Sequence, residues 1–209
     1  MSRGMLGRWR KSAEQFAAAV GADYASVQAN RKKYHQEQIS SRRLPLDLLR
    51  KVGFQTLFGV RCMQAARDAR LPLLPAVVSR LLRHAYGVEI HWDAAIAPGI
   101  SIVHGNGLVI SHAARVGAGC ILFHNVTLGE GLDAKTRERG APTLLDNVHI
   151  GPGATLLGPI TVGAGSKIMA GAVLDRSVPA NSLVVPHKAQ VTGRQNKAKQ
   201  AAVVAEEEA

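Results

Sequence analysis

One histidine of this 209-residue chain stands where it could do chemistry. His104 lies among glycines in residues 102–116, IVHGNGLVISHAARV, an otherwise largely aliphatic stretch. A neutral imidazole near pH 7 is suited to take a proton from a hydroxyl, because its pKa lies close to the working pH. A polar residue at a turn between two strands would leave the same pattern. The residues alone therefore keep both interpretations of His104 open.

The other histidines give weaker signals. His91, His112 and His149 would be the candidates for a zinc site, but no two of them have the close spacing of metal ligands and no acidic partner accompanies them. We therefore expect no metal. His124 lies in a turn, where it could line a cleft or serve the structure. The remaining three are interpreted as ordinary surface or helix residues: His35, His84 and His187.

Composition limits the class of protein. Glycine occurs 21 times and aromatic residues make up 4% of the chain, which argues against a helical bundle and for many tight turns. Two cysteines are too few for a disulfide framework, so we expect a reducing, cytoplasmic setting. The basic start lacks the apolar stretch of a signal peptide, and LPLLPAVVSRLL is too short to cross a bilayer. We expect no membrane span.

The positive charge is confined to the first part of the chain. Residues 1–85 contain 16 Lys and Arg against 5 Asp and Glu, a net charge of +11, whereas residues 86–209 contain 10 of each kind. Such an excess could attract an anionic surface or could form a solvated helical face. Because no nucleic-acid-binding motif or aromatic cluster accompanies it, we favour the solvated face and expect no nucleic acid as partner.

The chain before Gly87 is predicted to be helical. Ser12-Ala13-Glu14-Gln15 resembles a capping box that opens an Ala-rich helix fading near Gly21. Residues 46–70 carry apolar side chains at helical spacing. AVVSRLLRHAY, residues 76–86, is predicted to form a short helix that Gly87 ends.

After Gly87 the sequence repeats every six residues. Thirteen aliphatic residues mark the period, with a two-residue slip placed after Leu108 and an interruption at 130–143: Ile90, Ile96, Ile102, Leu108, Val116, Leu122, Leu128, Leu144, Ile150, Leu156, Val162, Ile168 and Leu174. Four residues later the side chain is usually small or apolar, as at Cys120, which we interpret as a core residue. Glycine at the turns and a period of six exclude a continuous helical stripe.

This pattern is typical of a parallel β-helix, in which three short strands form one triangular coil and stacked coils pair their backbones. The predicted fold is mainly β, with an N-terminal α-helical region. The sequence divides into a basic helical region at 1–86, a β-helix at 87–193 with a loop excursion at 130–143, and a polar tail at 194–209.

Five stretches of the repeat region resemble serine O-acetyltransferases of the hexapeptide-repeat acyltransferase family: GVEIH at 87–91, HGNGLVI at 104–110, NVTLG at 125–129, GPGATLLGPITVGAGSKIMAGAVL at 151–174 and SVPANSLVV at 177–185. The resemblance covers roughly residues 76–193. It implies a left-handed β-helix, acetyl-CoA as donor and a homotrimer with the active site between subunits; pairing of trimers into a dimer of trimers is a further possibility.

The resemblance also implies a catalytic pair. Glu89 and His104 occupy the positions of the family's carboxylate and histidine, with Glu89 in place of the usual Asp. His104 would be the general base, and Glu89 would orient the imidazole and stabilise its protonated form. An 18-residue coil would place Gly107, rather than His104, beside Glu89. The register alone therefore does not predict contact between the pair.

For the donor, the matching positions are Gly129, Pro152 and Ala170, with Lys167 close enough to consider for the phosphates. The family holds the pantetheine arm mostly against turn backbone. Pro152 departs from this pattern because proline has no backbone N–H.

The acceptor is less well determined. Arg137 or Arg139 in the loop excursion could bind a carboxylate or could be solvated. The family's Arg-His pair before the loop proline is replaced by Gly140-Ala141, and Val103 replaces a carboxylate beside the catalytic histidine. L-serine is the leading acceptor and a sugar or another small hydroxyl compound is the alternative. The non-enzyme alternative is a β-helical scaffold.

Overall fold

A computed structural model of the chain describes residues 3–35, 44–133 and 136–187; the predicted tail at 194–209 lies outside them. Helices come first and short strands follow. The helices are α1 (Arg3–His35), α2 (Leu44–Arg50), α3 (Val52–Asp68) and α4 (Leu74–Tyr86). The strands are β1 (Glu89–Ile90), β2 (Ala95–Ile96), β3 (Ser101–Ile102), β4 (Val109–Ile110), β5 (Arg115–Val116), β6 (Ile121–Leu122), β7 (Thr127–Gly129), β8 (Gly131–Leu132), β9 (Arg139–Gly140), β10 (Thr143–Leu144), β11 (His149–Ile150), β12 (Thr155–Leu157), β13 (Thr161–Val162), β14 (Lys167–Ile168), β15 (Val173–Leu174) and β16 (Leu183–Val184).

The strands form three parallel sheets around one core. The first sheet has the order β1-β4-β7-β12-β15, the second β13-β10-β5-β2 and the third β16-β14-β11-β6-β3. The chain visits the three sheets in turn, so each coil adds one strand to every sheet. This is a parallel β-helix, in which the backbone of one coil pairs with the coils above and below it.

The aliphatic period becomes the core. All thirteen predicted positions are buried, with at most 6% of each residue exposed, as at Ile102. Their partners in neighbouring coils are again aliphatic, as in the pairs Ile90–Ile110 and Leu156–Leu174. The side chain of Cys120 is also buried in this core.

The predicted position of the slip was wrong. Ile90 pairs with Ile110 rather than Leu108, so the first coil is two residues longer than the regular 18. The extra residues lie between Ile102 and Ile110, within the HGNG turn that carries His104. Leu108 is buried as well, on a second inward-facing column. Glu89 consequently lies beside Val109 and not beside Gly107.

The helical region differs from its prediction in one element. Helix α1 runs without a break from Arg3 to His35, so Ser12 lies inside it and does not cap it. The Ser12 hydroxyl instead donates a hydrogen bond to the carbonyl of Ala65 on α3, at 3.0 Å. Helix α4 ends as predicted: Gly87 adopts a left-handed conformation (φ 62°), and its N–H bonds the carbonyl of Arg83.

A buried arginine joins the helices to the first coil. The Arg61 side chain of α3 is 1% exposed and lies 2.7 Å from the carboxylate of Asp23 on α1. Its guanidinium also donates to the side chain of Gln64 and to the carbonyl oxygens of Ile96 and Ala97, at the end of β2. These bonds connect two helices to the start of the β-helix.

The described parts of the loop excursion include two short paired strands. Strands β8 and β9 pair antiparallel, and residues 131–140 are called the arm below. The arm packs against the next coil: a Cβ on Gly140 would lie 2.8 Å from Pro159. In the part of the chain that the structure describes, no helix is long and apolar enough to cross a membrane.

Candidate active site

The turns that lead from the third sheet to the first form one edge of the β-helix, called the histidine corner below. His104, His124, Pro152 and Ala170 occupy the second position of this turn in four successive coils. Backbone hydrogen bonds stack the turns, for example from Gly171 N to the carbonyl of Pro152 at 2.9 Å. The geometry therefore brings His104 and two of the candidate donor positions to the same edge.

His104 has an unusual backbone. It adopts a left-handed conformation (φ 68°), which is uncommon outside glycine, and its side chain is exposed. The rings of His104 and His124 are 5.8 Å apart and inclined by 71°. The Nδ1 atom of His124 is buried, and no hydrogen-bond partner for it exists among the described residues. A buried orphan atom beside an exposed histidine is typical of a functional site.

The sequence analysis left His124 as a residue that could line a cleft or serve the structure, and it did not predict the contact with His104. The 20-residue spacing between His104 and His124 could have indicated the contact, but only once the two extra residues were placed in the HGNG turn.

The end of α4 positions the HGNG turn. Gly107 N donates to the carbonyl of Gly87 at 2.9 Å, and the Asn106 amide approaches the carbonyl of Tyr86 at 3.4 Å. Glu89 follows Gly87 by two residues. The same helix end thus holds both the turn of His104 and the start of β1.

Glu89 nevertheless has a different partner. Its carboxylate lies 2.6 Å from the guanidinium of Arg83, and both side chains are about half exposed. Within the described residues, no hydrogen bond or ion pair joins Glu89 to His104. The structure therefore does not show the hydrogen bond expected between the predicted pair.

The donor candidates divide between two edges. Pro152 and Ala170 lie on the histidine corner, and the exposed Lys167 precedes Ala170 by three residues on β14. No hydrogen bond from the Ala170 amide is present within the described residues, so this N–H is available to a ligand carbonyl. Gly129 lies at the opposite end of its strand, where a Cβ would meet Leu157 at 2.8 Å.

The two arginine candidates both belong to the arm. Arg139 is tied to Glu130, with 3.1 Å between its Nε and the carboxylate. Arg137 is exposed and has a left-handed backbone (φ 60°) near the tip. The structure of one chain brings neither arginine to His104.

Glu130 forms the base of the arm. It accepts hydrogen bonds from the Ser111 hydroxyl at 2.8 Å and from Arg139, and it lies 2.9 Å from Nδ1 of His112. The Ser111 hydrogen bond, followed by the charges of His112 and Arg139, holds the pKa of Glu130 below its ordinary value. Glu130 is therefore an anion at neutral pH.

The histidines considered for zinc do not assemble. His91 and His112 are neighbours, with ring centroids 5.5 Å apart, whereas His149 stacks on Phe123 in the third sheet. Within the described residues there is no group of three His, Cys, Asp or Glu side chains that could hold a metal ion.

Comparison with known proteins assigns this arrangement to a family. Residues 142–176 match the model of the bacterial transferase hexapeptide (six repeats). A serine acetyltransferase of Helicobacter pylori is 36% identical over 143 residues, which cover 68% of this chain and 82% of that protein. The chain belongs to the serine acetyltransferase family. A serine acetyltransferase of Synechococcus elongatus is 43% identical over 133 residues, 64% of this chain.

Solved structures agree with the assignment. Neisseria gonorrhoeae serine acetyltransferase, determined in complex with serine, superposes with a TM-score of 0.72 at 27% identity, over 90% of this chain and 73% of that one. The predicted fold class, a left-handed parallel β-helix with an N-terminal helical region, is confirmed. The chain spans only 54% and 60% of the length of the Synechococcus elongatus and Bacillus pumilus relatives.

Proposed function

We propose that this protein is an acetyl-CoA-dependent O-acetyltransferase that converts L-serine into O-acetylserine, a step toward cysteine. The observation that carries the proposal is the placement of His104 in a chain of this family. Its imidazole is exposed and lies beside His124, its backbone is left-handed, and its turn is two residues longer than the other turns of this edge. Residues held in sparsely populated backbone conformations concentrate at functional sites.

The chemistry follows from the imidazole. His104 takes the proton of the serine hydroxyl while the oxygen bonds to the carbonyl carbon of the thioester. The carbon–sulfur bond then breaks, and the imidazolium returns the proton to the CoA thiolate. Glu89 would stabilise the imidazolium, for which its carboxylate must turn away from Arg83.

The histidine corner supports the donor assignment. We propose that acetyl-CoA lies along this corner, with the Ala170 amide as a hydrogen-bond donor and Lys167 facing the phosphates. Pro152 would supply surface but no N–H. Gly129 would contact the donor from the other end of the first sheet, most simply from a neighbouring subunit.

Release of CoA, followed with a thiol reagent against L-serine and a panel of sugars, tests the acceptor. Val103 and the Gly140-Ala141 pair are the observations that favour a sugar or another hydroxyl compound as the second candidate. Turnover of a sugar without turnover of serine would replace serine as the acceptor. No CoA release with any acceptor would favour the scaffold.

His104→Ala tests the mechanism. We expect kcat to fall by roughly 10²–10⁴ while CoA affinity and the melting temperature stay close to those of the unchanged protein. Glu89→Gln should lower kcat less, and the exposed His187→Ala serves as the control. Normal turnover by folded His104→Ala protein would end this mechanism.

We also propose a homotrimer, with a dimer of trimers as a larger form, and a cytoplasmic location. The separation of Gly129 and the arm from the histidine corner supports a site shared between subunits. Both cysteines are free, which suits a reducing compartment. A monomer in analytical ultracentrifugation at micromolar concentration would contradict the shared site.

A further inference from the structure

A second pocket lies beside β1 and is not part of the histidine corner. It has a volume of about 240 Å³, and its lining includes Arg83, Glu89, Trp92, Ser111 and Glu130. That volume is large enough for an amino acid. The pocket contains the proposed orienting carboxylate, Glu89.

The carboxylate of a ligand could replace Glu89 as the partner of Arg83. Nη2 of Arg83 lies 2.6 Å from Oε1 of Glu89, and the two side chains are 53% and 54% exposed. An exposed ion pair of this kind contributes little to stability, so another carboxylate can displace Glu89 at small cost. A guanidinium can bind a free carboxylate through two parallel hydrogen bonds, so Arg83 is a suitable partner for the carboxylate of a ligand.

A second carboxylate in the pocket lining favours a ligand that also carries a positive charge. The carboxylate of Glu130 lies there, held by Ser111, His112 and Arg139, and it is ionised at neutral pH. A ligand with two negative charges would be repelled by Glu130 and Glu89. An ammonium group next to the bound carboxylate would be attracted instead.

We propose that Arg83 binds the carboxylate of a zwitterionic amino-acid acceptor and that this binding releases Glu89 to orient His104. The proposal rests on the proposed function, which it deepens. It assigns acceptor recognition to helix α4. In this chain Gly140-Ala141 stand before the loop proline, where the family has its Arg-His pair. The helix end that carries Arg83 also holds the HGNG turn, through the bond from Gly107 N to the carbonyl of Gly87.

The test compares two acceptors that differ only in the carboxylate. Steady-state kinetics are measured with L-serine and with L-serinamide for the unchanged protein, Arg83→Gln and Arg83→Lys. We expect Arg83→Gln to raise the KM for L-serine about 10- to 100-fold, because a charge-assisted hydrogen bond is lost. The KM values for L-serinamide and acetyl-CoA should stay the same, and Arg83→Lys should be intermediate. Arg80→Gln, an exposed arginine on the same helix, is the control.

Two outcomes overturn the proposal: an unchanged KM for L-serine in Arg83→Gln, or an equal rise for L-serine and L-serinamide. Calorimetric titration with L-serine separates this failure from failure of the proposed function. If the unchanged protein acetylates only sugars, serine acetylation is wrong, and the titration decides about Arg83. Loss of L-serine binding in Arg83→Gln then supports the pocket, whereas no binding to the unchanged protein excludes it.

Discussion

The helical region and the β-helix are stabilised in different ways. The β-helix is held by a column of aliphatic side chains that repeats from coil to coil, so each coil makes the same kind of contact as the next. The helices meet the first coil through buried apolar side chains such as Leu57 and Leu82. They also make individual polar contacts: Arg61 with Asp23 and with the carbonyls after β2, and Ser26 and Asn30 with Ser101. The β-helix repeats one kind of contact at equivalent positions, whereas the helical region combines apolar packing with a few specific polar contacts.

The candidate site lies where the two regions meet. Glu89 comes two residues after Gly87, which ends α4, and the HGNG turn is hydrogen-bonded to the carbonyl of Gly87. Arg83 belongs to the same helix and pairs with Glu89. We therefore expect a change in how the helices pack on the first coil to move the proposed catalytic groups, Glu89 and His104, more than a change in a distant coil would. Substitutions at the contact between the helices and the first coil should therefore affect the site, and substitutions in distant coils should mainly change the free energy of unfolding.

The largest expected effect comes from removing Arg61. In Arg61→Ala, the carboxylate of Asp23 would remain buried without its partner, and breaking a buried ion pair in this way costs about 3–5 kcal/mol. We expect the free energy of unfolding to fall by that amount in urea denaturation at fixed protein concentration. Arg67→Ala is the control on the same helix: Arg67 also reaches the first coil, donating to the carbonyl of Trp92 at 3.0 Å, but its side chain is 39% exposed and its partner Asp68 is 49% exposed. An equal fall in the free energy of unfolding for the two variants would show that the buried Arg61–Asp23 pair contributes no more than the partly exposed one.

The next prediction compares a side chain of the aliphatic column with its exposed neighbour in the sequence. Leu156 is fully buried in the fourth strand of the first sheet, and Leu156→Ala should lower the free energy of unfolding by about 2–5 kcal/mol through lost burial and a cavity. The adjacent Leu157 is 38% exposed, so Leu157→Ala should cost clearly less. Urea denaturation of both variants measures the difference, and equal losses would contradict the inward-facing column.

These two substitutions also show what could be predicted from sequence. A period of six identified Leu156 as core, because every coil places the same position inward. Arg61 gave no such signal, since its partner Asp23 lies 38 positions earlier and only the packing of α1 on α3 brings them together. The slip was misplaced for a related reason: Leu108 is buried on either assignment, so hydrophobicity could not distinguish the two inward columns.

Each region contains one cysteine, Cys62 in the helices and Cys120 in the β-helix, so thiol labelling can measure local unfolding of each region separately. Burial raises the pKa of Cys120 to about 11, so only about one thiol in a thousand is ionised at pH 8. Cys62 on α3 is partly exposed, and burial raises its pKa as well. In Arg61→Ala, we expect labelling of Cys62 by a thiol reagent to become faster while Cys120 stays protected. Equal acceleration at both cysteines would mean that the regions unfold as one unit.

The smallest effect concerns the arm, which belongs to the β-helix but is held by a polar group. The pKa of Glu130 is lowered in the folded protein, first by the Ser111 hydrogen bond, so its contribution to stability is complete above the ordinary value of 4.5 and is lost as the pH falls through the lowered value. Glu130→Gln should therefore lower the melting temperature slightly near pH 7, and the difference from the unchanged protein should shrink as the pH falls below 4.5. Glu138→Gln, an exposed residue of the same arm, is the matched control for removing one carboxylate there. A constant difference for Glu130→Gln down to pH 3 would mean that the carboxylate charge does not hold the arm, and that the packing of Gly131 and Gly140 on the next coil fixes it alone.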